Sequence, residues 1–536
     1  MIFKYATLPD RHQNPAFEFI GVANWQRPFN SNIAAVLMVC RKWYTIALDP
    51  ALWVYVDNYN HMRLKTFTER SSPLSLTLFL ASWSNVDIFT TLKECGSRAK
   101  RIHVTYCDHQ FPVEAFFFPA PYLETFILYG SDRSAAVDSL HINEAVLFGG
   151  QAQALRAIAI SPVVDWIPGN RLPNLTHLYL SFDCRPSYRL SDILLPLYNF
   201  PDLEVIQFAH ATVGLDGSTT HDSDRIVLRR LKHIMFLRQS DFGSSIAILR
   251  RLELPPTVFI YFDAISVSRS NPDNGIVDSS LLPPWRGGDI TQLEVGTEYS
   301  AMHLLFEGPS SGFFLRTSPH DHEPVLGEYW MQWLFALPKI FSLGLTTVRL
   351  ARIRLDDSGN NIGRLLRAMS SVEELEIIFP IYDDIPAPTE GEDSLDYICR
   401  LLSRDDPVLC PQLHTLIVIL ERAGMDTKIV ETSRHQRHAE HLKTMLAARA
   451  HMGRRVQCLR IQTRWRILEE EVHKTIYPLF RPLADHVDEY ESYEPHDRLS
   501  GFRIRPEWWD RSEGVPERYW DLKEEDWPKY KLPWFV

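Results

Sequence analysis

Apolar positions along this chain recur in a short, repeated form. An apolar residue is followed three and five positions later by two more, the period-two spacing of a strand entered through a turn. Four copies also carry a proline two residues ahead of the first apolar position: PYLETFIL from Pro121, PNLTHLYL from Pro173, PDLEVIQF from Pro201 and PQLHTLIV from Pro411. Looser copies read RAKRIHV (98–104), ALRAIAI (154–160), RLKHIMF (230–236), ITQLEV (290–295), LTTVRL (345–350), VEELEI (372–377) and VQCLRI (456–461). Between them the pattern turns helical. NIGRLLRAMSSVEELEI reads as helix, short turn, strand. HLKTMLAARAHMGRRVQCLRI does too, with Leu442, Met445, Leu446 and Arg449 on one helix face and Gly453 just past its end.

The first apolar residue falls at Leu123, Leu155, Leu175, Leu203 and Leu231, in steps of 32, 20, 28 and 28 residues. Such steps are those of leucine-rich repeats, and later steps are longer and irregular. A helix followed by a strand, repeated, is what a stacked parallel solenoid requires. The expected fold is therefore α/β: a short helical head over 1–57, an irregular leucine-rich-repeat-like solenoid with parallel strands over 58–466, and an acidic, Trp-rich tail or cap over 467–536. The alternative is an α/β domain with several parallel strands. Residues between the core positions of each strand should look outward along one surface. Those are His177 and Tyr179, Val205 and Gln207, His233 and Met235, Glu374 and Glu376, Arg460 and Gln462. That surface is the expected partner face; the bland alternative is a set of solvated strand residues.

Near the N-terminus, Val36, Val39, Cys40 and Trp43 are spaced for one face of a helix, with Ile46 and Ala47 continuing the stripe. Asp49-Pro50 breaks it, and Ala51-Leu52-Trp53 re-enters a core. Val39, Trp43, Leu52 and Trp53 are expected to be buried, against the solenoid or against a partner.

Composition narrows the function. Of 536 residues 45% are hydrophobic and 23% charged, enough apolar material to exclude wholesale disorder. A net charge of -11 argues against general binding to nucleic acid or an anionic membrane. With no run of eighteen apolar residues and no basic start leading into an apolar stretch, neither a membrane span nor a leader is expected. The seven cysteines are scattered and never form CxxC, which predicts buried free thiols in a reducing compartment, cytoplasmic or nuclear. GxGxxG, GxxxxGK[ST] and HExxH are all missing from the sequence. His320-Asp321-His322-Glu323 reads as a polar loop, and His435, His438 and His441 as a solvated helix face that cannot share one metal. No cofactor or metal and no catalytic residues are expected; an enzyme with unmarked residues is the third-ranked reading.

The segment 33–53 resembles the second half of an F-box, which runs Val-Cys-basic-x-Trp, an apolar-Ala pair, then Pro-x-Leu-Trp. Here these are Val39, Cys40, Arg41, Trp43, Ile46, Ala47, Pro50, Leu52 and Trp53. The continuation LKTFTERSSPLSLTLFL (64–80) is similar to the segment after the F-box in a large family of mushroom-type (Agaricomycete) fungal F-box proteins, as are LRRLELPPTVFIYFD (249–263) and CPQLHTLIV (410–418). The resemblance implies a substrate-recognition subunit of an SCF-type ubiquitin ligase. In such proteins Val39, Cys40, Trp43, Ile46, Pro50, Leu52 and Trp53 would form the F-box core or its contact with a Skp-type adaptor and cullin complex. His177, Tyr179, Gln207, His233 and Arg460 would lie on the face for an unknown protein substrate. The first half departs from the pattern: after Leu8-Pro9, the residues Pro15, Gly21 and Pro28 interrupt any helix, so that half is degenerate. The rival reading is a non-catalytic repeat scaffold without a ligase.

The C-terminal end is polarised. Residues 421–466 hold eleven Lys and Arg against four Asp and Glu, a net of +7, whereas 467–536 hold ten against seventeen, a net of -7. Trp508, Trp509, Trp520, Trp527 and Trp534 lie in that tail. Tryptophan this dense needs a surface to bury against. The expected arrangement is a tail folded back on the basic last repeats, capping them.

Overall fold

The computed structural model describes residues 37–82, 86–106, 112–130, 143–163, 166–182, 188–214, 225–237, 242–265, 283, 285–286, 288–298, 301–317, 344–351, 360–382, 394–423, 432–464 and 474–493. The chain is α/β and its strands pair mostly in parallel. It divides into two compact units that change over at residues 240–256, so the region 58–466 is not one block.

In the first unit the principal strands are β1 (Tyr55–Asp57), β2 (Leu76–Ala81), β3 (Ala99–Tyr106), β4 (Thr125–Gly130), β5 (Ala157–Val163), β6 (His177–Phe182), β7 (Val205–Ala209) and β8 (His233–Leu237). Each pairs in parallel with the next in chain order, without a skip. Because β1 closes the segment read as a separate head, the head runs directly into the sheet.

The repeated sequence pattern has a clear structural cause. In Pro-x-Leu the proline occupies the second position of a β-turn, where its fixed φ is already correct. The turn closes by hydrogen bonds from Leu123 N to Ala120 O (3.1 Å), Leu175 N to Leu172 O (3.1 Å) and Leu413 N to Cys410 O (3.0 Å). The leucine points into the core, and the next residue but one starts the strand. Leu123, Phe126 and Leu128, like Leu203, Ile206 and Phe208, are all buried. Each fully buried side chain of this size contributes about 1.5–3 kcal/mol.

Helix α1 (Arg41–Ala47) precedes the sheet. The stripe from Val39 to Trp43 does not lie on one helix: residues 37–39 are helical, Cys40 is extended, and α1 starts after it; Val36 lies outside the described residues. The end is as the sequence predicts. Asp49 accepts from Ala51 N at 3.0 Å and Pro50 opens a short 3-10 turn. That turn delivers Trp53 into the core, where its indole N–H donates to Ala47 O at 2.6 Å. The Trp53 ring meets Phe67 of α2 (His61–Arg70) edge-on at 4.8 Å, and the Arg70 guanidinium lies 4.3 Å over its centre. Beyond the β1–β2 ladder, buried Asn58 takes over the pairing: its amide donates to Ala81 O (3.0 Å) and Val86 O (2.7 Å) and accepts from Ala81 N (2.9 Å). Helices α3 (Ile88–Cys95), α4 (Leu190–Tyr198) and α5 (Phe242–Arg250) follow β2, β6 and β8.

The second unit holds β9 (Phe259–Ile265), β10 (Gln292–Glu298), β11 (Ala301–Glu307), β12 (Gly312–Thr317), β13 (Thr347–Ala351), β14 (Glu374–Tyr382), β15 (Thr415–Ala423), β16 (Cys458–Arg464) and β17 (Glu489–Tyr493). From β13 to β17 the pairing is again sequential and parallel. The departure is an antiparallel meander, β10–β11–β12, inserted between β9 and β13, with β12 parallel to β9 and β10 parallel to β13. Helices α6 (Asn360–Ala368), α7 (Ser394–Leu402) and α8 (Thr432–His451) precede β14, β15 and β16. Leu442, Met445, Leu446 and Arg449 of α8 are buried together, as their spacing predicts, and Gly453 sits past the helix end at φ +67°. The Arg449 guanidinium is satisfied by three carbonyls, Leu409 (3.0 Å), Cys410 (2.9 Å) and Arg454 (3.2 Å).

Residues 474–493, read from sequence as part of the tail, belong to the second unit. They form α9 (Tyr477–Phe480), a 3-10 turn and β17, and bury Ile476, Tyr477, Phe480, Leu483 and Val487. The five tail tryptophans and the fold-back expected of them lie outside the described residues, as does His320–Glu323.

Two substitutions separate core from surface in the head. Trp53→Ala removes a ring that is 2% exposed and should lower unfolding stability by about 3–5 kcal/mol. Val39→Ala, at 57% exposure, should stay within about 0.5 kcal/mol. Chemical denaturation of the two variants reads the difference.

Candidate functional site

In-register parallel strands place equivalent side chains in rows, about 4.8 Å apart. In the first unit one row on the face away from Leu178 and Ile206 reads Thr77, Arg101, Thr125, Ala157, His177, Val205, His233. The next reads Phe79, His103, Ile127, Ala159, Tyr179, Gln207, Met235. The predicted residues His177, Tyr179, Val205, Gln207, His233 and Met235 thus share one face, in register.

That face is not open to solvent as expected. His177, Tyr179, Val205, Gln207 and Met235 are buried, and only His233 among them is half-exposed. Strands β6 (HLYLSF) and β7 (VIQFA) are buried at every residue, the behaviour of parallel strands closed on both faces. Accessible positions on this face lie further along: His103, Thr105, Ile127, Tyr129 and Ser161 are half-buried.

Burial sets the chemistry of the histidines. It depresses His177 to about 3, helped by the nearby charges of His233 and Lys232, and depresses His233 to about 4. Both rings are therefore neutral near pH 7. His177 Nδ1 lies 2.8 Å from Thr176 Oγ1. The buried thiols Cys95 and Cys410 are pushed up to about 12 and stay protonated. Cys95, Cys399, Cys410 and Cys458 are buried and free as predicted, whereas Cys40 is free but exposed.

The second unit carries a charged row: Glu294, Arg349, Glu376, Ile417, Arg460 and Glu491. Sign alternates along it. Arg349 donates to Glu294 Oε2 (3.3 Å) and pairs with Glu376 Oε1 (2.9 Å), while His303 Nε2 approaches Glu294 Oε1 (3.1 Å) from β11. Arg460 pairs with Glu491 at 2.9 Å. Burial alone would push the Glu294 carboxyl up; the His303 hydrogen bond and the Arg349 charge outweigh it and hold the pKa below the ordinary value. Ala351, Ile378, Ile417 and Ile419 form a buried apolar cluster on the same face. Of the residues predicted here, Glu374 and Glu376 are half-buried, Gln462 is buried, and the Arg460 side chain is 34% exposed.

Glu294, Arg349 and His303 were not singled out by sequence. Glu294 and Arg349 occupy the same slot in ITQLEV and LTTVRL that Glu376 and Arg460 hold in their own copies, so aligning the loose copies would have found them. His303 comes from the antiparallel meander, which the repeat does not announce.

The helix-face reading of the three histidines is corrected. His435 and His438 are buried within the second unit, their rings 6.0 Å apart; only His441 is on the surface, 3.9 Å from Asp396. Among the described residues no group of three or more His, Cys, Asp or Glu is arranged to hold a metal ion, and no helix is long and apolar enough to cross a membrane.

In the head, Trp53 is buried and Trp43, Pro50 and Leu52 are half-buried. Val39, Cys40 and Ile46 face solvent, so the burial expected of Val39 within the chain does not occur. Met38, Tyr44 and Leu48 add to an exposed apolar surface there.

Two measurements test these assignments. A histidine held below its unfolded value contributes stability that is complete above about pH 6.5 and is lost as pH falls, by about 1.4 kcal/mol per pH unit. His177→Gln should flatten the acid limb of the stability–pH curve by about that slope between about pH 6 and 4. Arg349→Met leaves Glu294 buried without its guanidinium and should cost about 3–5 kcal/mol at neutral pH. The wild-type Glu294 contribution is present above the ordinary carboxyl value and is lost as pH falls through its lower folded pKa. The deficit of the variant should therefore shrink in acid, and denaturant titrations at several pH values check it. Compared with known proteins, the chain matches no family model and no curated sequence.

Proposed function

We propose that the chain is a non-catalytic recognition subunit, an F-box-type receptor that binds a Skp-type adaptor through its head and a protein substrate through leucine-rich-repeat-like solenoid units. The observation that carries this reading is the head. A short helix and its lead-in expose Met38 (79%), Val39 (57%), Tyr44, Ile46 and Leu48, while Trp53 anchors the same segment to helix α2. Isolated exposed apolar residues are ordinary, but several in succession on one short segment mark a docking surface. Two of them, Val39 and Ile46, are among the residues on which the F-box resemblance rests.

The solenoid part is supported by strand order. Parallel crossovers are right-handed almost without exception. With β1 to β8 paired in strict chain order, right-handed crossovers all fall on one side of that sheet, which is the arrangement of a stacked repeat. The rows of buried strand residues shift the substrate face away from His177, Tyr179 and Gln207. The accessible positions are Thr105, Ile127, Tyr129 and Ser161 in the first unit and Arg460 and Glu491 in the second.

The test is direct binding of the full chain to a purified Skp-type adaptor by calorimetry. Binding is expected, and Val39→Glu with Ile46→Glu should abolish it while leaving the unfolding transition unchanged, since both side chains are exposed. A folded chain that does not bind the adaptor overturns the ligase reading and leaves the non-catalytic repeat scaffold.

A further inference from the structure

The exposed apolar surface of the head hangs on few contacts. Helix α1 has seven residues, too short to be stable alone, and of these Ala47 alone is buried. Its end is held from outside the helix: the Trp53 indole N–H donates to Ala47 O at 2.6 Å, a buried bond. The direction in which Tyr44, Ile46 and Leu48 point therefore follows the position of the Trp53 ring. That ring is gripped by one face of α2. Arg63, Phe67 and Arg70 stand at i, i+4 and i+7, which share one side of a helix. Phe67 meets the ring edge-on at 4.8 Å, and the Arg70 guanidinium lies over its face at 4.3 Å.

Three arginines contact α2 or belong to it, and each is engaged differently. Arg63 pairs with Asp57 of β1 at 2.9 Å. Arg98, just before β3, donates to Thr68 O (3.1 Å), Leu74 O (2.8 Å) and Ser71 Oγ (3.2 Å). These two fasten the start and the end of the helix to the sheet. Arg70 faces the ring instead. One hydrogen bond and one edge-on contact leave an indole able to tilt about its bonded N–H. A cation over the ring face opposes that tilt, because a ring that turns away forfeits the attraction. Resting on the reading of the head as a docking surface, we propose that Arg70 is a positioning residue for that surface. It acts through Trp53, and Arg63 and Arg98 keep the helix beneath it fixed.

Hydrogen exchange resolved to single amides in the full chain, together with calorimetry against a purified Skp-type adaptor, tests it. Arg70→Met keeps an unbranched side chain and removes the charge. It should speed exchange of the Tyr44, Leu48 and Asp49 amides, bonded to Cys40 O, Thr45 O and Ile46 O, by about tenfold. Adaptor binding should weaken by a similar factor, while the amides of β2 and β3 keep their rates. Arg70→Lys keeps the cation and loses the planar fork, so it should fall between wild type and Arg70→Met in both readouts. Unchanged α1 exchange in Arg70→Met would overturn the proposal. So would an acceleration shared by β2 and β3, or Lys and Met variants that behave alike, either of which would make Arg70 a packing residue only. A wild-type chain that does not bind the adaptor, with α1 still released by Arg70→Met, would count against the ligase reading and support the positioning role.

Discussion

One shared carbonyl at the entrance of successive parallel strands sets their register in both units. Glu124 O accepts from Arg156 N (2.9 Å) and Ala157 N (3.2 Å), Arg156 O from Thr176 N and His177 N (both 2.9 Å), and Thr176 O from Glu204 N (2.8 Å) and Val205 N (3.0 Å). The second unit repeats the arrangement at Thr346, Glu373, His414 and Gln457. Each such carbonyl belongs to the residue just after the turn leucine or its equivalent. The side chain that enters the core and the backbone group that starts the ladder are therefore one residue apart and cannot be set independently. Everything between two entrances can change length without disturbing the register. That is why steps of 20 and 32 residues coexist in one sheet, and why loop insertions are tolerated where a shift of one residue in the strand would turn the core outward.

Register has an electrostatic consequence. Parallel strands stack equivalent positions, so a charged residue in the repeat meets its equivalents on both neighbours. Like charges there would destabilise the sheet. The second unit avoids this by alternating sign, Glu294–Arg349–Glu376 and Arg460–Glu491, with Ile417 where the alternation is interrupted. A buried ion pair such as Glu294–Arg349 is a weak source of stability compared with apolar packing, but it penalises any mispairing that removes a partner. The alternation is thus a constraint on which strand may neighbour which, in a sheet where every core row looks alike.

The strands were legible in the sequence because turn chemistry and period-two spacing coincide. Pro121, Pro173, Pro201 and Pro411 each precede a strand, and the α8 face with Gly453 was legible for the same reason: local geometry and core burial agree. Exposure was not legible. Period two shows which residues share a face but not whether that face is covered, and His177, Tyr179 and Gln207 are polar residues buried on a second closed face. The near-continuous apolar text of HLYLSF and VIQFA was the available sign. Helix continuity failed at Cys40, where apolar spacing suited a helix and the backbone is extended. The β10–β12 meander and His303 were invisible because antiparallel pairing across a short turn breaks the one-strand-per-repeat rhythm on which the reading relied.

Closure of the strand faces also limits where recognition can occur. A partner gains affinity by desolvating accessible side chains, and rows such as His177–Val205–His233 have little left to desolvate. Their neutral histidines hold no charge to offer an acidic ligand at neutral pH. Two of the surfaces that stay accessible among the described residues differ in kind. The head presents apolar side chains held by a single buried tryptophan, so its geometry depends on Trp53 packing against Phe67 and Arg70 rather than on the helix itself, which at seven residues is too short to be stable alone. The last strands of the second unit present charged side chains held by the ladder, where geometry depends on backbone pairing. Recognition through the first should be sensitive to core mutations around Trp53, and recognition through the second to ionic strength. The two modes rest on different forces and can change independently.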